Sequence, residues 1–192
     1  MIPHLKYFLA IEDELINCSK YVEFNSNNYS TYSIEFAKLI MTSSSEIDSV
    51  FKELCKAISP TSNPKNITEY YPIIIGKYPK FTEIEIEVFK YNISFKPWEN
   101  WNDTVRPSWW RGYNEIKHER ELNFEKANLE NTLYSIGALF ALLLYLGIEK
   151  SGPINYVEVN AFEAPRTFKT KDRSSGFSSS GIVVVYDLPD FR

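Results

Sequence analysis

Cysteine is nearly absent: Cys18 and Cys55 are the only two in 192 residues, and neither stands in a Cys-x-x-Cys or zinc-ligand spacing. That pattern argues against a disulfide framework or a metal ligand set and for two reduced core thiols in a cytoplasmic protein. Positive charge is not in excess either. Lys+Arg 21 against Asp+Glu 25 gives a formal net charge of -4, so no global field recruits nucleic acid, and any anion must be held by a local patch. The longest apolar run, 136–146, falls short of the roughly 20 residues of a membrane span and suits a buried helix, which predicts no membrane partner. Glu12, Asp13 and Glu14 stand where a signal peptide would carry its apolar region, so secretion is not expected. No repeat of fixed period is visible.

What the chain does have is apolar and aromatic mass. Hydrophobic residues make up 44% and aromatics 16%, including Tyr 13 and Phe 13, enough for one well-buried domain over 1–192 and suited to a dense core, an interface or base stacking. Apolar spacing predicts a helix over 3–24, ended by the polar run at 25–28. A second is predicted over 31–58, with Ser33 and Phe36 bracketing its cap. Within it Thr42, Ser43, Ser44 and Ser45 lower helix propensity but can bond back to the preceding turn, allowing close approach of another helix or exposing Glu46 to a site. Pro60 and Pro64 stop that helix.

The next stretch reads as extended: a strand at 72–75, a turn at 76–80, and alternation of acidic and apolar residues from Thr82 to Val88, with a parity change that implies a bulge or turn at 90–92. The expectation is a small antiparallel sheet over 71–96. Trp98, Trp101, Trp109 and Trp110, all four tryptophans, share one window with Pro97 and Pro107. A rigid aromatic lid on the bundle is preferred over direct base stacking. Helices at 107–119 and 122–149 follow, the latter apolar on every side in its second half. Such a helix needs partners all round, which predicts that it or the lid lies at a homodimer interface. Strands are expected at 156–159 and 182–186, as a hairpin over 155–187 whose loop carries Arg166, Lys169, Lys171 and Arg173 with Phe168 and Phe177. That loop is a solvated tip or a phosphate contact. The fold class is therefore mainly α with an inserted small antiparallel sheet and C-terminal strands, α+β overall.

Chemistry concentrates in 107–120. On a helix Arg111, Asn114, Glu115 and His118 form one polar stripe, while Trp109, Tyr113, Ile116 and Arg120 form its neighbour, able to face a core with Arg120 reaching out along its own stem. A histidine moves a proton near neutral pH and a guanidinium holds phosphoryl oxygens bidentately, the minimum for metal-free phosphodiester cleavage, with the RNA 2′-hydroxyl as nucleophile. A structural network that fixes Glu46 and the lid would need the same polar residues.

The span from Arg111 to His118, with six residues between, resembles the Arg-x4–6-His motif of the HEPN superfamily of α-helical proteins. The context Trp109-Trp110, Tyr113-Asn114 and Lys117-His118-Glu119-Arg120, followed by a helix with Phe124, Ala127 and Leu129 through Tyr145, looks like a bacterial HEPN-like group. The region from Tyr32 to Lys52 looks like that group's preceding helix. The resemblance covers the helical parts only. It implies a metal-independent endoribonuclease without a cofactor, dimeric, acting on RNA in phage defence or a toxin system, with a cognate antitoxin or defence-system protein as partner. His118 would be the general acid or base, Arg111 would bind the scissile phosphate, Asn114 and Lys117 would orient or neutralise it, and Tyr113 and Arg120 would contact substrate. Glu46 would orient His118 or pair with Arg120. Gly112 departs from the pattern, since ribonuclease members usually carry a polar residue directly after the Arg. A non-catalytic dimeric module that binds a protein or a nucleotide is the alternative.

Overall fold

A computed structural model describes residues 3–151 together with 162–163, 177–178 and 181–182. The chain is mainly helical with small antiparallel sheets. Helix α5 (Leu129–Ser151) forms its axis, packing most extensively on α2 (Ile34–Ile58) and also on α1 (Pro3–Cys18) and α4 (Ser108–Glu119). From Ser135 to Gly147 it is buried on every side. At roughly 1.5–3 kcal/mol for each large apolar side chain withdrawn from water, this helix carries much of the hydrophobic stabilisation. The span Leu129–Lys150 is long and apolar enough to cross a membrane by composition, but 83% of its most apolar window is covered by the rest of the fold. Its apolar girth is thus covered within one chain, by Phe8 stacked on Phe140 at 5.4 Å, Phe95 on Tyr134 at 4.4 Å and Tyr78 against Tyr145 at 4.6 Å. The inference that α5 needs a second copy to cover it does not hold.

Helix α2 starts as its residues predict: Ser33 is extended and its hydroxyl accepts from the Phe36 amide at 3.0 Å. The serine run stays helical by back-bonding, Thr42 Oγ1 donating to Lys38 O at 2.8 Å and Ser43 Oγ to Leu39 O at 2.8 Å. Ser43 and Ser44 are fully buried, and Ser43 meets Ser135 Oγ at 3.0 Å, so small side chains let α2 and α5 approach closely.

Several boundaries differ from the expectation. Helix α1 ends at Cys18 rather than 24, where the Ser19 hydroxyl turns back to Ile16 O at 2.7 Å, and Phe24 leads into a short 3-10 turn at Ser26–Asn28. The strand expected at 72–75 is helix: α3 (Ile67–Lys77) carries Pro72 inside it. Its Asn66 side chain accepts from the Thr68 and Glu69 amides, and Ile67, Tyr70 and Ile74 form a buried stripe at helical spacing, so cap and burial override the β-branched run. The inserted sheet is correspondingly shorter. A 3-10 turn at Phe81–Glu83 precedes β1 (Ile86–Val88), which pairs antiparallel with β2 (Ile93–Phe95), Ile86 opposite Phe95.

The expected turn between them is a 3-10 turn at Phe89–Tyr91 followed by Asn92 at φ 51, a left-handed position that asparagine tolerates. Strand β3 (Phe162–Glu163) adds to β1, giving the order β2-β1-β3, and β4 (Phe177–Ser178) pairs with β5 (Gly181–Ile182). The strand expected at 156–159, most of that at 182–186 and the loop cations 166–173 lie outside the described residues. Helix α5 begins at Leu129 rather than 122. Residues Phe124–Lys126 form a 3-10 turn, and the Asn128 side chain accepts from the Asn131 amide at 2.9 Å.

Candidate functional site

Helix α4 follows Pro107, whose carbonyl accepts the Arg111 amide at 3.1 Å. Trp109, Trp110, Gly112, Tyr113 and Ile116 are buried and hold the helix on the bundle, while Arg111, Lys117, His118 and Arg120 are exposed. The docking stripe runs through Trp109, Tyr113 and Ile116 as the spacing predicts. The four tryptophans form a packed array: Trp98, Trp101, Trp109 and Trp110 are 0%, 2%, 1% and 7% exposed. Trp109 Nε1 donates to Pro97 O at 2.7 Å, and ring centroids lie 5.1–5.6 Å apart from Trp101 to Trp98, Trp98 to Trp109 and Trp109 to Trp110. They pack as a rigid lid, and Trp110 also reaches a cavity wall.

Arg111 and His118 share one exposed stripe about two turns apart, and among the described residues neither side chain makes a hydrogen bond or ion pair. Asn114 is half-buried, its Nδ2 donating to Trp110 O at 2.8 Å. Glu46 does not serve His118 or Arg120. It lies 2.5 Å from His4 Nδ1, while His4 Nε2 lies 2.6 Å from Glu53, which also takes Lys150. His4 thus clamps α1 to two turns of α2, a pairing across 42 residues of sequence that no local pattern announces. Gly112 stands where a methyl group would come within 2.8 Å of Asn131 Nδ2, so this position is a close approach of α4 to α5, with no room for a polar side chain.

Two cavities flank the α4 residues. One, of about 350 Å³, is walled by Ser45, Asp48 and Ser49 of α2, by Lys65, Asn66 and Ile67 at the start of α3, and by Arg106, Trp110, Tyr113, Asn114 and Lys117. The Lys117 ammonium sits 5.5 Å from the Tyr113 ring centroid, a cation–π contact. The other is a shallow depression lined by Ile116 to Leu122, including His118 and Arg120. Lys117 belongs to both. Of the residues expected in the site, Asn114, Tyr113 and Lys117 meet in the first cavity, and His118, Lys117 and Arg120 in the second. Arg111 lines neither, and Glu46 is elsewhere. Lys65 and Arg106 had no sequence signal, because both lie in connecting segments, Lys65 in the turn after α2 and Arg106 just before α4.

Burial pushes the Cys55 thiol up to about 12, and Cys18 is also raised, by burial and then by Glu35 and Glu14, so neither is an activated nucleophile. Among the described residues no group of three or more His, Cys, Asp or Glu could hold a metal ion. No family model, curated protein or solved structure matches the chain.

Proposed function

We propose that the chain is a metal-independent endoribonuclease of the HEPN type. The observation that carries this is the pair Arg111 and His118, presented about two turns apart on one exposed stripe of a helix whose other face is locked by Trp109, Tyr113 and Ile116. His118 removes the proton from a 2′-hydroxyl, whose oxygen attacks the adjacent phosphorus. Arg111 holds the phosphoryl oxygens as charge builds, and the 5′-oxygen leaves with a proton, giving a 2′,3′-cyclic phosphate and a 5′-hydroxyl. Asn114 and Lys117 orient and neutralise the strand.

A second copy supplies the second proton-transfer group. Its docking place is the groove of about 570 Å³ lined by Ile34, Ala37, Lys38, Arg120, Glu121 and Phe124, beside Ile34 and Leu122, which are 68% and 79% exposed. On this reading the protein works in the cytoplasm in a defence or toxin system, with a cognate antitoxin as its protein partner.

The test is RNA cleavage in EDTA by the parent protein and by His118→Ala, which should cut about 10²- to 10⁴-fold more slowly with unchanged circular dichroism. Cleavage that survives the substitution, or that needs added metal, rejects the assignment. The non-catalytic module is favoured by one observation, the capture of Glu46 by His4, which leaves His118 without the carboxylate assigned to orient it. That reading expects a dimer that binds RNA or protein and cuts nothing.

A further inference from the structure

We infer that the cavity between α2, the start of α3 and α4 binds a backbone phosphate of single-stranded RNA next to the cleavage residues. Three cations, Lys65, Arg106 and Lys117, stand around it, and among the described residues none of their side chains is paired with a carboxylate; Glu69 takes only the Lys65 backbone amide, at 2.8 Å. Its one acid, Asp48, is already engaged at both oxygens: the Tyr70 hydroxyl donates to Oδ1 at 2.6 Å and Lys52 Nζ to Oδ2 at 2.5 Å. The local balance is therefore positive in a chain whose net charge is -4, which answers the requirement for a local anion patch.

The walls fit a strand and not only an ion. At about 350 Å³ the cavity has the volume of a small-ligand site. Its floor is the buried Ile67, Trp110 and Tyr113, an apolar surface for a sugar. Ser45 and Asn114 add a hydroxyl and an amide oxygen, while the start of α3 is already capped by the Asn66 side chain. Lys117 connects this cavity to the depression that holds His118, so a strand seated at the first passes the second. Assigning RNA as the source of the phosphate rests on the ribonuclease proposal, whereas the capacity to bind phosphate does not.

The experiment is fluorescence anisotropy with an end-labelled single-stranded RNA, in the His118→Ala protein so that no strand is consumed, with and without Lys65→Gln plus Arg106→Gln. Both substituted side chains are exposed, and circular dichroism checks that the fold is kept. The expected result is a Kd raised about tenfold and a log–log salt slope shallower by about 1.4, two contacts at roughly 0.7 each. Unchanged Kd and slope overturn the inference. So does AMP binding that is lost in the double variant while RNA affinity is not, since the site would then serve a free nucleotide. If the parent protein cuts no RNA but the double variant still loses affinity and slope, the ribonuclease proposal fails and the phosphate site stands.

Discussion

Gly112 and Gly137 both lie in helices where a methyl group would meet another atom at 2.8 Å, yet what must move differs. At Gly112 the obstacle is the amide end of Asn131, held to Lys126 O by one hydrogen bond of 2.9 Å. Losing that bond costs about 1 kcal/mol, and replacing a helical glycine by alanine returns roughly the same, so Gly112→Ala should leave denaturant stability nearly unchanged. At Gly137 the obstacles are two ring carbons of Phe95, at 2.8 and 2.9 Å, and an Ile86 methyl at 3.4 Å. The ring is stacked on Tyr134 and cannot swing, so Gly137→Ala should lower stability by about 1–2 kcal/mol after the propensity gain.

Cys55 supplies a pH-dependent case. Its thiol is raised in the fold from 9.0 to about 12, so the fold favours the protonated form. Its contribution is complete below about pH 9 and is withdrawn as pH climbs from there towards 12. Unfolding measured across that window should show a steeper fall for the parent protein than for Cys55→Ala, and thiol labelling at neutral pH should reach half-exposed Cys18 first. That Cys55 is a core thiol was legible from isolation and context. That Glu46 belongs to His4 was not, because an ion pair between residues 42 apart leaves no periodic trace.

At the scale of elements, the helices whose polar and apolar residues agree were legible in full. Helix α2 was marked by Ser33 and its apolar stripe, and α4 by its docking face of Trp109, Tyr113 and Ile116. Helix α3 was misread because Ile73, Ile74 and Ile75 carry a strand-like signature, while the deciding facts, the Asn66 cap and the burial of Tyr70 against Phe51 at 4.8 Å, are a local bond and a distant contact. The alternation in 84–88 was read correctly as a face, with Ile84, Ile86 and Val88 buried, but pairing limits the strand to three residues. The serine run of α2 carries a prediction of its own. Ser43→Val places methyl groups where Ser43 and Ser135 oxygens lie 3.0 Å apart and removes that bond. It should destabilise the protein by about 2 kcal/mol in denaturant titrations, whereas a change at exposed Ser49 should not.

Across the whole molecule the tryptophans report on a shared core. All four are buried and linked through Phe51 and Phe81 to α2 and the turn before β1, so their emission should be blue-shifted and should move red in a single step coincident with loss of helical circular dichroism. Two separated fluorescence steps would mean that the aromatic lid and the bundle melt apart. The candidate site was half legible at this scale. Its α4 residues follow from helical spacing and Arg106 stands just before them, whereas Lys65 and Ser45 come from two other segments that only the tertiary fold brings there. The central position of α5 also sets a timetable. During synthesis α1 to α4 and the hairpin emerge before the helix they enclose, so until about residue 146 has left the ribosome their inner faces lack their largest partner. Folding is then a late, all-at-once event, and a chain broken off before α5 is a chaperone client rather than a smaller version of the protein.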